Sequence, residues 1–220
     1  MKVSPARLRK HLDASGLKLD YVKGWDSARI DPYNGASDFQ GVLLHHTAGT
    51  NSLNFIVNTN RYAPVRACHF LIARDGTVHV VSGVGAYHAG EGGPWSFTQR
   101  VTIPRNGGNS RLYGIEIESL GTSAKINDKP QGMTMAQVVA TARLCAVLLH
   151  AMRPGPLSFK AGRVIRHRDW TPRKVDVRQS LDWWQRLVRI ALKEYKDPAK
   201  SEHELRKFVR MYPDGNLEIL

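Results

Sequence analysis

Several residues that can bind a metal ion or handle a proton stand where apolar runs give way to loops. His45 and His46 close the run "VLLHH", His167 follows "GRVIR", and His88 sits in "YHAG". Asp176 lies beyond His167 across a segment bent by Pro172, with Lys174 two residues before it. A catalytic zinc commonly takes three protein ligands from His, Asp, Glu and Cys and leaves a position for water. Two neutral imidazoles and one carboxylate, from His45, His167 and Asp176, would leave such an ion net positive. That charge acidifies water and polarises a carbonyl. Lys174 would be a cationic helper from the same loop. A structural reading competes, in which His167 caps its strand and Asp176 pairs with Arg168, Arg173 or Arg178. Spacing alone leaves both open. His150 and His203 read as surface residues, and His11 and His79 have no suggestive neighbours.

The elements that must position these groups follow from periodicity. "FQGVLLHHTAG" reads as a buried strand from Val42 to Leu44 running into the two histidines. A helix is expected within residues 51–63. "ACHFLIARDGTVHVVS" is a hairpin, Phe70 to Ala73 and Val78 to Val81, turning at Asp75-Gly76. Residues 83–112 show no period, and so long a loop in a small domain is usually functional or mobile. In "LYGIEIESLG", Ile115 and Ile117 alternate with Glu116 and Glu118, as in a strand with two different faces. "TMAQ" has the form of a capping box, and Val138, Ala142, Cys145, Leu149 and Met152 form a core stripe on the helix it opens. "GRVIRHRDW" supplies a short strand into the ligand loop. A last amphipathic helix aligns Leu181, Trp184, Val188 and Ala191. Interleaved strands and helices predict an α/β fold, a central mixed β-sheet covered by helices. We expect a basic N-terminal arm over 1–24, a catalytic domain over 25–195 and a charged C-terminal appendage over 196–220.

The totals narrow the partners. The chain has 220 residues, 42% apolar and 23% charged, which suits an ordinary globular domain and excludes wholesale disorder. Thirty-two Lys and Arg against nineteen Asp and Glu give a net charge of +13, which favours a polyanionic partner. Two cysteines are too few for a disulfide framework. The basic N-terminus lacks the apolar run of a signal peptide, and no apolar stretch approaches the ~20 residues of a membrane-spanning helix. Synthesis in the cytoplasm and no membrane contact are expected. No motif for nucleic-acid binding stands out, and none is expected.

"VLLHHTAG", "HFLIARDGTVH", "YHAG", "YGIEIES" and "HRDWTPRKVD" occur in that order. Together they resemble the zinc-dependent N-acetylmuramoyl-L-alanine amidase family, which includes phage endolysins and animal peptidoglycan-recognition proteins. The likeness covers roughly residues 40 to 190. It implies an amidase and peptidoglycan-recognition-protein-like fold, with Zn²⁺ held by His45, His167 and Asp176. In its "HHTAG" pattern the first histidine is the ligand, leaving His46 to line the site, in keeping with the alternation of strand residues. Some relatives carry Cys as third ligand; Asp176 matches the bacterial cytoplasmic branch. That branch takes its general base from the first glutamate of "GIELE", which is Glu116 here. Lys174 matches the lysine that offsets oxyanion charge, and His88 a histidine of the cleft that hydrogen-bonds substrate. Trp170 would stack on sugar or peptide, while Trp95 reads as a half-buried anchor. Cys68 replaces the tyrosine of the smallest phage amidases. It could be a soft ligand, but with the set complete it reads as a compact wall residue.

The resemblance implies cleavage of the amide between N-acetylmuramic acid and the L-alanine of the stem peptide. Bacterial peptidoglycan is then the acidic polymer that the charge balance calls for. A monomeric phage endolysin, reaching the wall through a holin-type pore, is the expected setting. A non-catalytic peptidoglycan-recognition module and a cytosolic muropeptide-recycling amidase are the alternatives.

Overall fold

The computed structural model describes residues 2–27, 38–58, 66–121, 125–126, 129–130, 132–152 and 161–210. The second half of the helix expected within 51–63, and positions 211–220 of the tail, lie outside them. In chain order the first elements are α1 (Pro5–Asp13), β1 (Leu19–Tyr21), β2 (Gly41–His46), α2 (Leu53–Asn58), β3 (Phe70–Ile72) and β4 (Val78–Val80). There follow β5 (Trp95–Thr98), β6 (Val101–Ile103), α3 (Gly108–Arg111), β7 (Leu112–Ile117), β8 (Lys125–Ile126) and β9 (Lys129–Pro130). The last are α4 (Met135–Ala151), β10 (Val164–Arg166), α5 (His167–Trp170), α6 (Leu181–Lys193) and α7 (Pro198–Arg210).

Six strands form a mixed sheet in the order β1-β4-β3-β7-β2-β10. The hairpin pair β3 and β4 is antiparallel, and the other neighbours run parallel. Alternation divides its two faces. Val42, Leu44, Phe70, Ile72, Tyr113, Ile115 and Val164 join the main core with α1, α4, α6 and α7. Leu43, Leu112 and Ile165 turn the other way, onto a smaller cluster with Ala89, Ile103 and Trp170. Leu71 joins Ile56, Cys68 and Val81 beside it. The second face carries the site.

The capping box of α4 forms as read: Thr134 accepts from the Gln137 backbone N–H, and the Gln137 side chain accepts from the Thr134 N–H. The expected one-sided stripe is too narrow, however. Residues from Gln137 to Leu149 are buried on every side of α4, because α1, α6 and α7 cover what the sheet does not. The aperiodic stretch 83–112 also holds more order than expected, namely the β5–β6 hairpin and the one-turn α3. The two residues linking β5 to β6 are Gln99 and Arg100, which lack the Gly or Asn chemistry that marks a hairpin in sequence. Beyond Lys196, α7 buries Leu205 and Val209 in the main core, and Arg143 of α4 pairs with Glu202 at 2.9 Å. His150 stacks on Tyr195 with ring centroids 3.5 Å apart, so it is packed rather than a free surface residue.

Candidate metal centre

Parallel pairing brings the chemistry to one edge. β2 pairs with β7 so that His45 lies level with Glu116. Partners in a parallel ladder share a face, so both side chains project from the face opposite the main helices. On the other flank β10 pairs Arg166 with Leu44, which brings the next residue, His167, beside His45. The chain turns into α5 there, and the loop that follows folds back on it: the Arg168 N–H donates to the Asp176 carbonyl at 2.8 Å. Two arginines of this segment are occupied elsewhere. Arg166 grips Asp169 through two nitrogens at 2.9 and 2.6 Å, and Arg173 pairs with Glu91 at 3.1 Å. The Asp176 side chain faces histidines, not the arginines that would make it a surface ion pair.

Among the described residues, the group able to share one metal ion is His45, His167 and Asp176, all buried. His45 Nδ1 lies 2.8 Å from His167 Nδ1, and Asp176 Oδ2 lies 3.0 Å from His167 Nδ1 and 3.4 Å from His45 Nδ1. The outer nitrogens fix where the protons sit. His167 Nε2 contacts the Ala89 carbonyl at 3.2 Å, and His88 Nε2 contacts the Leu112 carbonyl at 3.0 Å. A carbonyl only accepts, so both Nε2 atoms donate. Neutral His88 therefore offers a lone pair at Nδ1, and His45 Nε2, 3.0 Å away, donates to it. His45 and His167 are left with lone pairs at Nδ1. Two lone pairs and a carboxylate oxygen thus converge on one buried point, an arrangement that needs a positive charge between them. Tetrahedral ligands about 2.1 Å from zinc lie roughly 3.4 Å apart, within about 0.6 Å of each side of this triangle. The outer contacts to carbonyls are those that hold ligating imidazoles in place. The donor set fits zinc.

The electrostatics agree. Burial pushes His45 down to about 4 against the opposing hydrogen bond to Asp176, and burial also holds His88 well below its ordinary value. Burial alone would raise Asp176, but a proton on the facing nitrogen of His167 or His45 would bond the carboxylate and outweigh it, keeping the carboxyl well below the usual range. Glu116 behaves oppositely. Burial, then the negative charge of Asp176, push it up to about 8, with Lys174 pulling the other way. Its Oε2 is shut off from solvent with no hydrogen-bond partner among the described residues, although the residue as a whole is half-buried. Lys174 is exposed and lines, with His167, His88, Tyr87 and Phe55, a cleft of about 520 Å³.

Three expectations about neighbours change. His46 alternates to the opposite face of β2 from His45, and its ring lies where a Cβ on Gly121 would be; it does not line the cleft. Trp170 is only 2% exposed, enclosed by Leu43, Ile103 and Ile165, with Gly92 and Gly93 pressed so close that a Cβ on either would meet its ring. It anchors the loop and offers no face for a sugar to stack on. His88 lines the cleft, but both its ring nitrogens are engaged within the protein. Cys68 is a buried wall residue, its thiol pushed up by burial and by the Glu116 charge. Trp95 is half-buried against the Trp170 cluster.

Sequence reasoning misses His69. It is fully buried, accepts the Gly114 N–H at Nδ1 (2.9 Å), and meets the His88 ring edge-on at 5.2 Å. Burial holds it at about 3. Its one signal was its place at the start of a strand, and its apolar neighbours masked it.

The family model of N-acetylmuramoyl-L-alanine amidase matches residues 35–179. Curated proteins give no significant match. Similar solved structures include AmpDh3 from Pseudomonas aeruginosa, at 23% identity and TM-score 0.49, covering 72% of this chain and 62% of that one. The chain thus spans less than two thirds of the length of AmpDh3. The Ph2119 endolysin from Thermus scotoductus MAT2119 bacteriophage Ph2119 is 16% identical, with TM-score 0.44 over 75% of this chain and 96% of that one. The endolysin N-acetylmuramoyl-L-alanine amidase LysCS from Clostridium intestinale URNW is 20% identical, with TM-score 0.38 over 71% and 86%. With more than half of its length matched by the family model, the chain, a mixed α/β sheet covered by helices, belongs to the N-acetylmuramoyl-L-alanine amidase family of enzymes.

Proposed function

We propose that the protein is a zinc-dependent peptidoglycan hydrolase that cuts the amide between N-acetylmuramic acid and the L-alanine of the stem peptide, and that it serves as a phage endolysin. One observation carries the reading: the lone pairs of His45 Nδ1 and His167 Nδ1 and the Asp176 carboxylate meet at a single buried point beside an open cleft. When bound there, zinc supplies the positive charge that acidifies water and polarises an amide carbonyl.

The chain's own groups account for the rest. Glu116 Oε2, buried and unpartnered, takes the proton of the attacking water and returns it to the leaving amine, as a positioned carboxylate does. Its raised pKa suits the second half of that cycle, where it must act as an acid. A cation beside Asp176 offsets the charge that helps raise it, which suits the first half. Lys174, at the mouth of the cleft, offsets negative charge as the carbonyl becomes tetrahedral. His45 and His167 are held in one tautomer by their outer contacts, so the donors are aligned before substrate arrives. The net charge of +13 draws the protein to an anionic wall. Among the described residues no helix is long and apolar enough to cross a membrane, and passage to the wall is assigned to a holin-type pore.

The complete donor triangle weighs against a non-catalytic recognition module, and the charge weighs against an enzyme of small cytosolic muropeptides. The test is purified protein on intact sacculi and on soluble anhydromuropeptides. Release of stem peptides from sacculi, lost on chelation and restored by zinc, is expected. Wall binding with no release in the presence of zinc would favour the recognition module, and turnover confined to the soluble substrate the recycling role.

A further inference from the structure

His88 lines the cleft but has no ring nitrogen left for a substrate. Its Nε2 donates to the Leu112 carbonyl at the start of β7, and its Nδ1 accepts from His45 Nε2. The backbone around it is also fixed: the His88 and Ala89 N–H groups both donate to Asn109 Oδ1, at 2.9 and 2.8 Å. The ring lies in space that Gly114 leaves by having no side chain, where any Cβ would overlap it. His69 closes the remaining side edge-on. Every one of these contacts determines where one lone pair of His88 points.

We propose that His88 is a positioning residue that sets the tautomer of His45, and so the ability of His45 Nδ1 to ligate a metal. This inference rests on the metal reading of the cluster. An imidazole that can place its proton on either nitrogen spends part of its time with Nδ1 protonated and unable to bind a cation. The chain Leu112 carbonyl, His88, His45 removes that state, since the carbonyl can only accept, so each imidazole turns its N–H outward toward it and its lone pair inward. His88 reaches the reaction only through His45.

The direct test compares His88→Leu, which has no acceptor, with His88→Asn, whose Oδ1 can stand near the position of Nδ1. Zinc affinity is measured by competition with a chromophoric chelator. The thermal midpoint of the metal-free protein and the ¹⁵N shifts of the His45 ring are followed in parallel. His88→Leu is expected to weaken zinc binding about 10–100-fold, as loss of an outer partner of a ligating histidine typically does. In the same variant the His45 ring should shift to a mixture of tautomers. His88→Asn should recover most of the affinity and the single tautomer. Affinity in His88→Leu within twofold of wild type would overturn the proposal. So would equal losses in both variants that follow the metal-free midpoint, because His88 would then be a packing residue. If wild type binds zinc and releases stem peptides while His88→Leu is unchanged, only this inference falls. A wild type that binds no zinc would remove the proposed function and this inference with it.

Discussion

Glu116 combines two properties that a surface strand glutamate lacks: an Oε2 without solvent or partner, and a pKa raised to about 8 by burial and by Asp176. Replacement by Gln keeps the shape and removes the proton transfer. Turnover on sacculi should fall about 10²–10⁴-fold with zinc affinity unchanged, measured by stem-peptide release and chelator competition. The same group gives a pH signature in the metal-free protein. A carboxyl whose folded pKa lies above its unfolded value stabilises below the unfolded pKa and loses that contribution as pH rises through the folded one. Wild type should therefore lose on the order of 1–3 kcal/mol relative to Glu116→Gln between about pH 4.5 and 8, read from urea midpoints. A flat difference across that range would refute the raised pKa. If the Lys174 charge matters only as the oxyanion forms, as proposed, Lys174→Met should lower turnover about 10²-fold with zinc binding retained. His69 has the opposite sign from Glu116. Buried and neutral down to about 3, it costs stability as pH falls below about 6.5, since the unfolded chain takes up the proton first. His69→Asn, which keeps an acceptor for the Gly114 N–H, should flatten the acid limb of the stability curve.

At the level of elements, α7 decides whether the stretch after Lys196 is a removable appendage. Leu205 is fully buried in the core shared with α4 and α6. Leu205→Ala should destabilise the protein by about 2–5 kcal/mol, the range for a large core side chain cut to Ala, as measured by chemical denaturation. A loss under 0.5 kcal/mol would mean that the helix is docked loosely. The strands were legible because β2, β3, β4 and β7 alternate or run apolar between turn residues. β1 was not, since three residues carry too little periodicity, and the β5–β6 hairpin lacks a turn signature. The ligand loop was legible in residue type but not in shape. Nothing local shows that the Arg168 N–H closes onto the Asp176 carbonyl, or that Arg166 and Asp169 pair beneath it.

For the whole molecule, two predictions concern charge and metal. Attraction of a +13 protein to an anionic wall is screened over about 8–10 Å near physiological ionic strength. Raising salt from 50 to 500 mM should weaken action on sacculi several-fold while leaving turnover of a small soluble substrate nearly constant. Equal salt effects on both would show that long-range attraction plays no part. If zinc binds the folded state alone, as the proposed function requires, then at a hundred times its dissociation constant it should stabilise by about 2.7 kcal/mol, a rise of roughly 5–10 °C in melting temperature. His167→Ala and Asp176→Ala should lose that rise, and metal analysis should show about one zinc per chain in wild type against little in either variant.

By itself the sequence offered His45, His167 and Asp176 as residues of types that can hold a cation, with a structural reading left open by their spacing and the set implied by the five ordered motifs. It also determined that β2 and β7 have two distinct faces, since side-chain direction in a strand alternates with every residue. Only the tertiary structure decided which faces meet. Parallel pairing put Glu116 beside His45, sent His46 to the far side and enclosed Trp170 among glycines. It also placed His88 between the Leu112 carbonyl and His45, with His69 edge-on against its ring. Pairing and proton placement depend on residues far apart in the chain, and no local pattern carries that information.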